Sequence, residues 1–146
     1  MKADPPENGG ALRCLLVQAG EYLCALPLRQ VRRVLRALPV SPIPQVSKEL
    51  LGLAEHGGEP LPVLDLARLV DAPPGPNPET PVTVVAWGGH GDGRELIGLQ
   101  ADAALRLCEI SPADVVPADR GVVRGEALID GEAVRVLDLE SLGTAG

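Results

Sequence analysis

The chain has 146 residues, a net charge of −7, and a composition that is 45% hydrophobic but only 1% aromatic. This length fits one compact domain, or two small lobes that share a core. The acidic balance argues against nucleic acid and anionic lipid as partners, because both require a basic face on the protein. No apolar run is long enough to span a membrane, so we expect a cytoplasmic protein without membrane insertion.

The first predicted elements are a tail and a hairpin. The stretch over 1–10, MKADPPENGG, is polar and predicts a disordered tail without a signal or anchor segment. Apolar runs over 12–17 and 22–26 flank the turn Ala19-Gly20-Glu21. Two apolar runs around such a turn are typical of a β-hairpin.

The next segment, LPLRQVRRVLRAL, conflicts with its surroundings. Four of its apolar residues recur at helical spacing, namely Leu28, Val31, Leu35 and Leu38. Four arginines lie among them, namely Arg29, Arg32, Arg33 and Arg36. The periodicity alone predicts an amphipathic helix, although the neighbouring segments favour strands. This basic stripe opposes the net charge of the chain, so it is either a solvated face or a docking surface for an acidic partner.

Short turns and one strand follow. A helical turn capped by its serine is predicted over 47–51, and a tight Gly-Gly turn at 57–58 precedes a strand over 61–66. Asp65 ends that strand and is predicted to cap a short helix over 66–70.

A proline-rich segment separates the two halves of the chain. Residues 71–81 hold five prolines and predict a stiff, solvated linker. Four further strands are predicted after it, over 82–87, 95–99, 122–128 and 133–139. The dipeptide Asp130-Gly131 between the last two is a strong hairpin signal.

An internal repeat organises these elements. Residues 52–69 and 125–142 match at nine of eighteen positions with a constant offset of 73, where ordinary residue frequencies would give roughly one or two matches. The repeat predicts two similar lobes, over about 12–70 and 82–142, each with about five short strands. Closing each small sheet into a barrel would remove its exposed edges. We therefore predict a mainly β protein of two small five-stranded barrels packed side by side, with short helical segments.

Groups that could carry catalysis are few. Cys14, Cys24 and Cys108 lie among apolar residues without metal-ligand spacing, which predicts buried, unreactive thiols. His56 and His90 fall in glycine-rich turns and lack the companions that a metal site needs.

The repeat-related carboxylates have a simpler explanation than acid–base catalysis. Asp65 and Asp138 both end a VLDL segment, where helix capping alone accounts for them. The sequence therefore predicts no enzyme, no metal site and no cofactor.

The order and spacing of these motifs resemble the CheW family of chemotaxis coupling proteins. The segments that carry the resemblance are 22–27, 31–35, 39–44, Gly52, 62–66, 98–99, Asp102, Gly125 and 136–139. The resemblance covers nearly the whole chain and makes 11–146 a single domain. It implies two SH3-like five-stranded barrels with a hydrophobic seam, and a strand rather than a helix over 31–37.

The resemblance also implies a function and partners. Family members are non-catalytic adaptors that join chemoreceptor cytoplasmic tips to the regulatory domain of the histidine kinase CheA. The partner-binding residues that this predicts lie in two segments of the first lobe: Arg29, Val31, Arg32, Arg33, Leu35 and Arg36, together with His56, Gly57 and Gly58.

Two positions depart from the family pattern. The family usually has Glu where this chain has Arg33, and Arg where this chain has Gly57. The two family residues carry opposite charges that can pair on the receptor-facing side of the first lobe. Losing both leaves no stranded charge, so the fold is expected to survive while the usual receptor contact changes.

Three functions remain open from the sequence. The first is the coupling adaptor itself. The second is a divergent CheW-like module that binds only one of the two partners, or another acidic regulator through the arginine stripe. The third is a small enzyme or ligand-binding protein that uses the seam between the lobes.

Overall fold

The computed structural model describes residues 10–44 and 47–142. Across these residues it contains β1 (Leu12–Ala19), β2 (Tyr22–Pro27), β3 (Val31–Arg36), β4 (Leu50–His56), β5 (Glu59–Asp65), α1 (Leu66–Leu69), β6 (Val82–Gly88), β7 (Glu95–Ala101), β8 (Ala103–Ile110), β9 (Val116–Arg120), β10 (Val123–Ile129) and β11 (Glu132–Leu137). The predicted tail over 1–10 lies outside the described residues, apart from Gly10.

The strands form two sheets, which we call barrel A and barrel B. Barrel A has the strand order β8-β1-β2-β11-β10-β9, and barrel B has the order β3-β6-β7-β5-β4. Neighbouring strands are antiparallel except β2 with β11 and β5 with β7. In barrel B the chain after β3 returns to β4, where Ser41 and Leu53 exchange backbone hydrogen bonds of 2.8 and 3.0 Å. The prediction of a mainly β protein with two small barrels is confirmed, although barrel A has six strands where five were predicted.

The barrels do not follow the predicted division of the chain. Strands β1 and β2 belong to barrel A with β8–β11, whereas β3–β7 form barrel B. The assignment of 12–70 to one lobe and 82–142 to the other is therefore wrong. The segment over 71–81 contains no helix or strand, but it joins α1 to β6 within barrel B instead of linking two lobes. It also packs on the β1–β2 turn, where the Glu21 amide donates to the Pro73 carbonyl at 2.9 Å.

The repeat explains this arrangement. Strands β4 and β5 correspond to β10 and β11 at the offset of 73, and β2 corresponds to β7. Ala25 pairs with Val136 in barrel A, and their repeat mates Gly98 and Val63 pair in barrel B. Each barrel thus combines the first two strands of one copy with the later strands of the other, so the two copies interlock.

Local sequence signals account for the turns and caps. Gly57 and Gly58 have φ of 61° and 82°, and the backbone of Asp130 and Gly131 is similar at 52° and 81°. Positive φ at both central residues defines the type I′ hairpin turn, which glycine and aspartate tolerate. The carboxylate of Asp65 accepts from the Ala67 amide at 3.1 Å and begins α1, as predicted.

Two local predictions compete with the strand signal. After a 3-10 turn at Leu28–Gln30, the arginine-rich segment forms β3, so the helical periodicity is misleading there and the family-based strand is confirmed. The helix predicted over 47–51 is wrong, because 47–49 form a turn and β4 begins at Leu50. In both places the pairing of strands outweighs a weak local preference.

Apolar side chains fill the space between the barrels. The seam core takes residues from β1, β2, β6 and β7 and from the segments that follow β5 and β11. Leu26 and Leu66 are fully buried there, together with their repeat mates Leu99 and Leu139. A separate cluster, which includes Leu16, fills the inside of barrel A. The predicted hydrophobic seam is therefore present and closely packed.

Candidate partner-binding surfaces

The predicted partner-binding residues fall on two parts of barrel B. Six of them, Arg29, Val31, Arg32, Arg33, Leu35 and Arg36, lie on β3 or on the 3-10 turn before it. The other three, His56, Gly57 and Gly58, lie at the turn between β4 and β5. Strands β3 and β4 are at opposite ends of the strand order, and the chain that follows β3 bridges them through Ser41 and Leu53.

Strand β3 exposes most of its side chains because it is the edge of its sheet. Val34 pairs with Val84, a buried residue of the seam core, yet Val34 itself is 40% exposed. Arg33 pairs with Val85 and is exposed. Val31 is the exception among the apolar residues, since it packs against the seam core.

A tryptophan anchors part of this surface. The guanidinium carbon of Arg94 lies 4.3 Å from the ring centroid of Trp87, and that of Arg32 lies 5.9 Å away. Both distances are within the range of a cation–π contact. The sequence reasoning missed Arg94 and Trp87, although the presence of a single tryptophan in an aromatic-poor chain was a usable signal.

The remaining arginines of β3 and of the turn before it have few acidic partners. Arg29 lies 3.9 Å from Glu140, and both side chains are about half exposed. Arg33 and Arg36 form no ion pair within the described residues. The edge of barrel B is therefore a basic strip, which we define as Arg32, Arg33 and Arg36, on a protein of net charge −7.

A buried polar network ties the start of this strip to barrel A. The side chain of Gln30 is buried, donates to Asp138 at 2.9 Å and accepts from the Leu139 amide at 2.9 Å. Partial burial would raise the pKa of Asp138. The bonds from Gln30 and the Glu140 amide, with the charges of Arg124 and Arg29, outweigh this effect and hold that pKa below its usual range.

Two of the three thiols are buried as predicted, whereas Cys108 is half-buried. Burial raises the pKa of Cys24 to about 12 and that of Cys14 to about 11, so both thiols stay protonated. No group of three or more His, Cys, Asp or Glu side chains placed to hold a metal occurs in the described part of the chain. The seam is occupied by leucine and valine side chains, which leaves the hypothesis of a ligand site there without support.

Comparison with known proteins decides the family. The family model of the CheW-like domain matches residues 13–145. The chain belongs to the CheW-like domain family. Protein FrzA of Myxococcus xanthus is 34% identical over 105 residues, and the match covers 71% of this chain but 62% of FrzA, which is less than two thirds of that protein.

A solved structure supports the fold of this CheW-like chain. The scaffolding protein TtCheW from Thermoanaerobacter tengcongensis superimposes with a TM-score of 0.75, covering 88% of this chain and 90% of that structure. The two sequences are 19% identical, so the likeness concerns the fold. None of the helices in the described residues is long and apolar enough to cross a membrane.

Membership of the family gives the basic strip its context. The resemblance implies Glu at the position of Arg33 and Arg at that of Gly57. In this chain the guanidinium of Arg33 is exposed to solvent at the edge strand β3. At position 57, no atom lies within 4 Å of the place that a Cβ would occupy. The turn therefore has room for a longer side chain, and its glycine is required only by its φ of 61°.

Proposed function

We propose that this chain is a non-catalytic cytoplasmic adaptor that couples chemoreceptor cytoplasmic tips to the regulatory domain of a CheA-type histidine kinase. The observation that carries the proposal is the match of the CheW-like domain over residues 13–145. The likeness to FrzA and to the scaffolding protein TtCheW supports it. The protonated, buried thiols of Cys14 and Cys24 also fit a protein that binds without reacting.

The interlocked barrels suit an adaptor physically. An adaptor transmits a signal only if its two contact surfaces keep a fixed relative position. Each barrel contains strands from both copies of the repeat, and fully buried residues such as Leu26 and Leu139 join them in one seam. Separating the barrels would expose this core, and separating the two copies of the repeat would break the parallel pairs β2–β11 and β5–β7. The two surfaces are therefore held by the same cooperative unit.

We assign the receptor-facing surface to the basic strip. Arg33 and Arg36 are exposed and without an ion-pair partner in the described residues, so a docked carboxylate would meet little competition. Exposed Val34 lies on the same face of β3 as Arg36 and supplies an apolar contact beside it, whereas Arg33 extends from the other face of this edge strand. In most family members the receptor tip faces a glutamate at the position of Arg33. The receptor tip that fits this chain should instead carry carboxylates there, opposite Arg33 and Arg36.

Titration calorimetry with a receptor cytoplasmic tip and, separately, a CheA regulatory domain tests the adaptor proposal. We expect the protein to bind both, and to bind them together in one complex. If neither partner binds, the adaptor proposal fails.

A charge reversal tests the assignment of the surface. Arg33→Glu restores the residue usual in the family and should weaken binding of the acidic tip by about tenfold. Arg106→Glu is the matched control, because Arg106 is the repeat mate of Arg33 on β8 of barrel A, and we expect less than a twofold change. If Arg33→Glu leaves tip binding unchanged while both partners still bind, the adaptor stands and the assignment to the basic strip fails.

The changed charge at Arg33 favours one second candidate. This is a CheW-like module that binds only one of the two partners, or a different acidic signalling regulator. Binding of the kinase domain alone in the same titrations, with no response to the receptor tip, would select this candidate over the adaptor.

A further inference from the structure

An apolar groove opens on the surface of barrel A, whereas the basic strip lies on barrel B. Leu128 on β10 is 72% exposed and Val116 on β9 is 68% exposed, the highest values among the large hydrophobic residues of the described chain. They lie on paired strands beside a groove of about 550 Å³. The residues that line the groove are Asp114, Val116, Glu126, Ala127, Leu128 and Ala133.

Barrel B contains the same groove with different chemistry, which shows what the fold itself requires. Its groove is lined by two glutamates, Glu55, which is the repeat mate of Leu128, and Glu59, and also by Pro39, Ser41, Leu53, Ala54, Gly58 and Pro60. Both glutamates are exposed. Since β4 and β10 form the same strand in the two barrels, a glutamate serves this position without harm to the fold. Folding therefore does not require the exposed leucine in barrel A.

The second apolar residue follows the same logic. Val116 pairs with Glu126 in barrel A, and Ser41 pairs with Leu53, the repeat mate of Glu126, in barrel B. By strand pairing, a polar serine therefore occupies the place of Val116 in barrel B, whereas the residue at the repeat offset from Val116 is the half-buried Ile43. An exposed valine beside an exposed leucine, at positions that the other barrel fills with polar side chains, marks a surface made for contact.

The charges around the groove indicate what it contacts. Asp114 is exposed at the groove, and Glu126 lines it while pairing with Arg120 at 2.7 Å. No basic side chain is among the lining residues. Five carboxylates and two arginines occur between positions 114 and 132. A bound segment would therefore meet apolar carbon in the groove and negative charge at its rim.

We infer that this groove is a docking site for a protein segment that carries aliphatic side chains flanked by Lys or Arg. The groove belongs to barrel A, whereas the basic strip belongs to barrel B, so the two surfaces select partners of opposite charge. The inference does not depend on the proposed receptor and kinase contacts.

A labelled peptide tests this site by fluorescence anisotropy. The probe is a twelve-residue helical peptide with two leucines one turn apart and lysines on either side. One control peptide replaces the leucines with serine, and the other replaces the lysines with glutamate. The wild-type protein should bind the first peptide at least tenfold more tightly than either control. Equal binding of the three peptides would overturn the inference.

Matched protein variants locate the site. Leu128→Glu copies Glu55 from the other barrel and should weaken binding of the leucine–lysine peptide by at least tenfold. Leu107→Glu alters another exposed leucine of barrel A, 58% exposed on β8, and should change binding by less than twofold. Equal losses in the two variants would place the binding elsewhere. Leu128→Ser repeats the test without an added charge, and circular dichroism confirms that each variant is folded.

Two further outcomes would reassign the groove. If sedimentation velocity shows a wild-type dimer that Leu128→Glu converts to a monomer, the occupant is a second copy of the chain and not a basic segment. If Leu128→Glu abolishes binding of the receptor tip or the kinase regulatory domain, the groove belongs to the adaptor function, and the inference of a separate partner fails.

Discussion

The two barrels share one design and differ in their charges. Asp65 and Asp138 are repeat mates, and each caps the helical turn after its strand. Asp138 also accepts a hydrogen bond from the side chain of Gln30 and forms an ion pair with Arg124 at 3.4 Å. Asp65 pairs with Arg68 at 3.5 Å and also lies near Asp102, whose pKa is raised by burial and by the charge of Asp65. The cap has been retained because it depends on local backbone, while the surrounding charges have diverged because the fold does not constrain them.

The closing segments differ in the same way. Barrel A is closed by the strand β9, whereas barrel B is closed by the single bridge between Ser41 and Leu53. In each barrel the closing segment passes close to a glycine whose missing side chain leaves room for it. This glycine is Gly125 in barrel A and Gly52 in barrel B. Shared backbone requirements and divergent surfaces are the pattern of a repeat whose two copies kept one fold while their surfaces changed.

The largest expected effect comes from those glycines. A Cβ at position 52 would lie 2.1 Å from the Ser41 carbonyl oxygen, at a φ of +150°. A Cβ at position 125 would meet a Val115 methyl at 2.4 Å and the Val116 oxygen at 2.9 Å. We expect Gly52→Ala to lower the free energy of unfolding by about 3 kcal/mol or more, and Gly125→Ala by about 1–3 kcal/mol. Urea unfolding measures both, and a larger loss at position 125 would contradict the comparison.

The buried network of Gln30 should give the next largest effect. Gln30→Ala leaves the Leu139 amide buried without its acceptor, which costs about 1–3 kcal/mol. Gln18→Ala is the control, because Gln18 is only partly buried and donates to the carbonyls of Gly20 and Tyr22. Its loss should cost about 1 kcal/mol or less. The measurement is again urea unfolding, and equal losses would show that the buried Gln30 network contributes no more than the partly buried hydrogen bonds of Gln18.

Asp138 and Asp102 should affect stability in opposite ways at acidic pH, because their pKa values are shifted in opposite directions. The folded pKa of Asp138 lies below the unfolded value of about 3.9, so its stabilisation is present above that pH and is lost as the pH falls through the folded value. Asp138→Asn should therefore destabilise the protein at pH 7, with a difference from wild type that shrinks below about pH 4. Unfolding curves at several pH values measure it, and a difference independent of pH would contradict the assignment.

Asp102 should show the opposite sign. Partial burial raises its folded pKa, the hydrogen bond from the Gly20 amide lowers it, and nearby Asp65 adds to the rise. The folded state disfavours the charged form of Asp102. The free energy of unfolding therefore falls as the pH rises through the unfolded pKa and then the folded pKa. Asp102→Asn keeps an acceptor for Gly20 and should gain stability relative to wild type between pH 3 and pH 7. A loss over that range would contradict this sign.

The smallest expected effect is at exposed ion pairs. Arg106 contacts Asp130 at 3.0 Å in barrel A, with side chains 48% and 83% exposed. Its repeat mate Arg33 has no such partner among the described residues. Arg106→Ala should change the free energy of unfolding by about 0.5 kcal/mol or less, and Arg33→Ala by no more. A loss well above 1 kcal/mol in thermal or urea unfolding would show that the pair contributes more than a surface contact.

Much of the local structure could be predicted from single segments. The Gly-Gly and Asp130-Gly131 turns require positive φ, which few residues tolerate, so the residue types identify them. The caps at Asp65 and Asp138 follow from a carboxylate at the end of a strand. The helical periodicity over 28–38 misled because an edge strand exposes residues on both sides, which removes the alternation that marks most strands.

The candidate site was only partly predictable. The arginines of β3 were found from their clustering, but Trp87 and Arg94 come from β6 and the turn before β7, and only the folded sheet brings them to Arg32. The apolar groove was missed for the same reason. Val116 and Leu128 are ordinary strand residues in the sequence, and their exposure depends on which face of barrel A they occupy.

The amino-acid sequence by itself determined the duplication and the strand-rich composition, because both follow from residue types alone. It also determined the type I′ turns and the capped strand ends, because these depend on neighbours in the chain. Only the tertiary structure decided that β1 and β2 pair with β8 and β11 rather than with the strands that follow them. Since β2 and β7 are copies of one strand, either could pair with β5 or β11 by local pattern alone. The packing of both copies around a single seam selects the interlocked pairing.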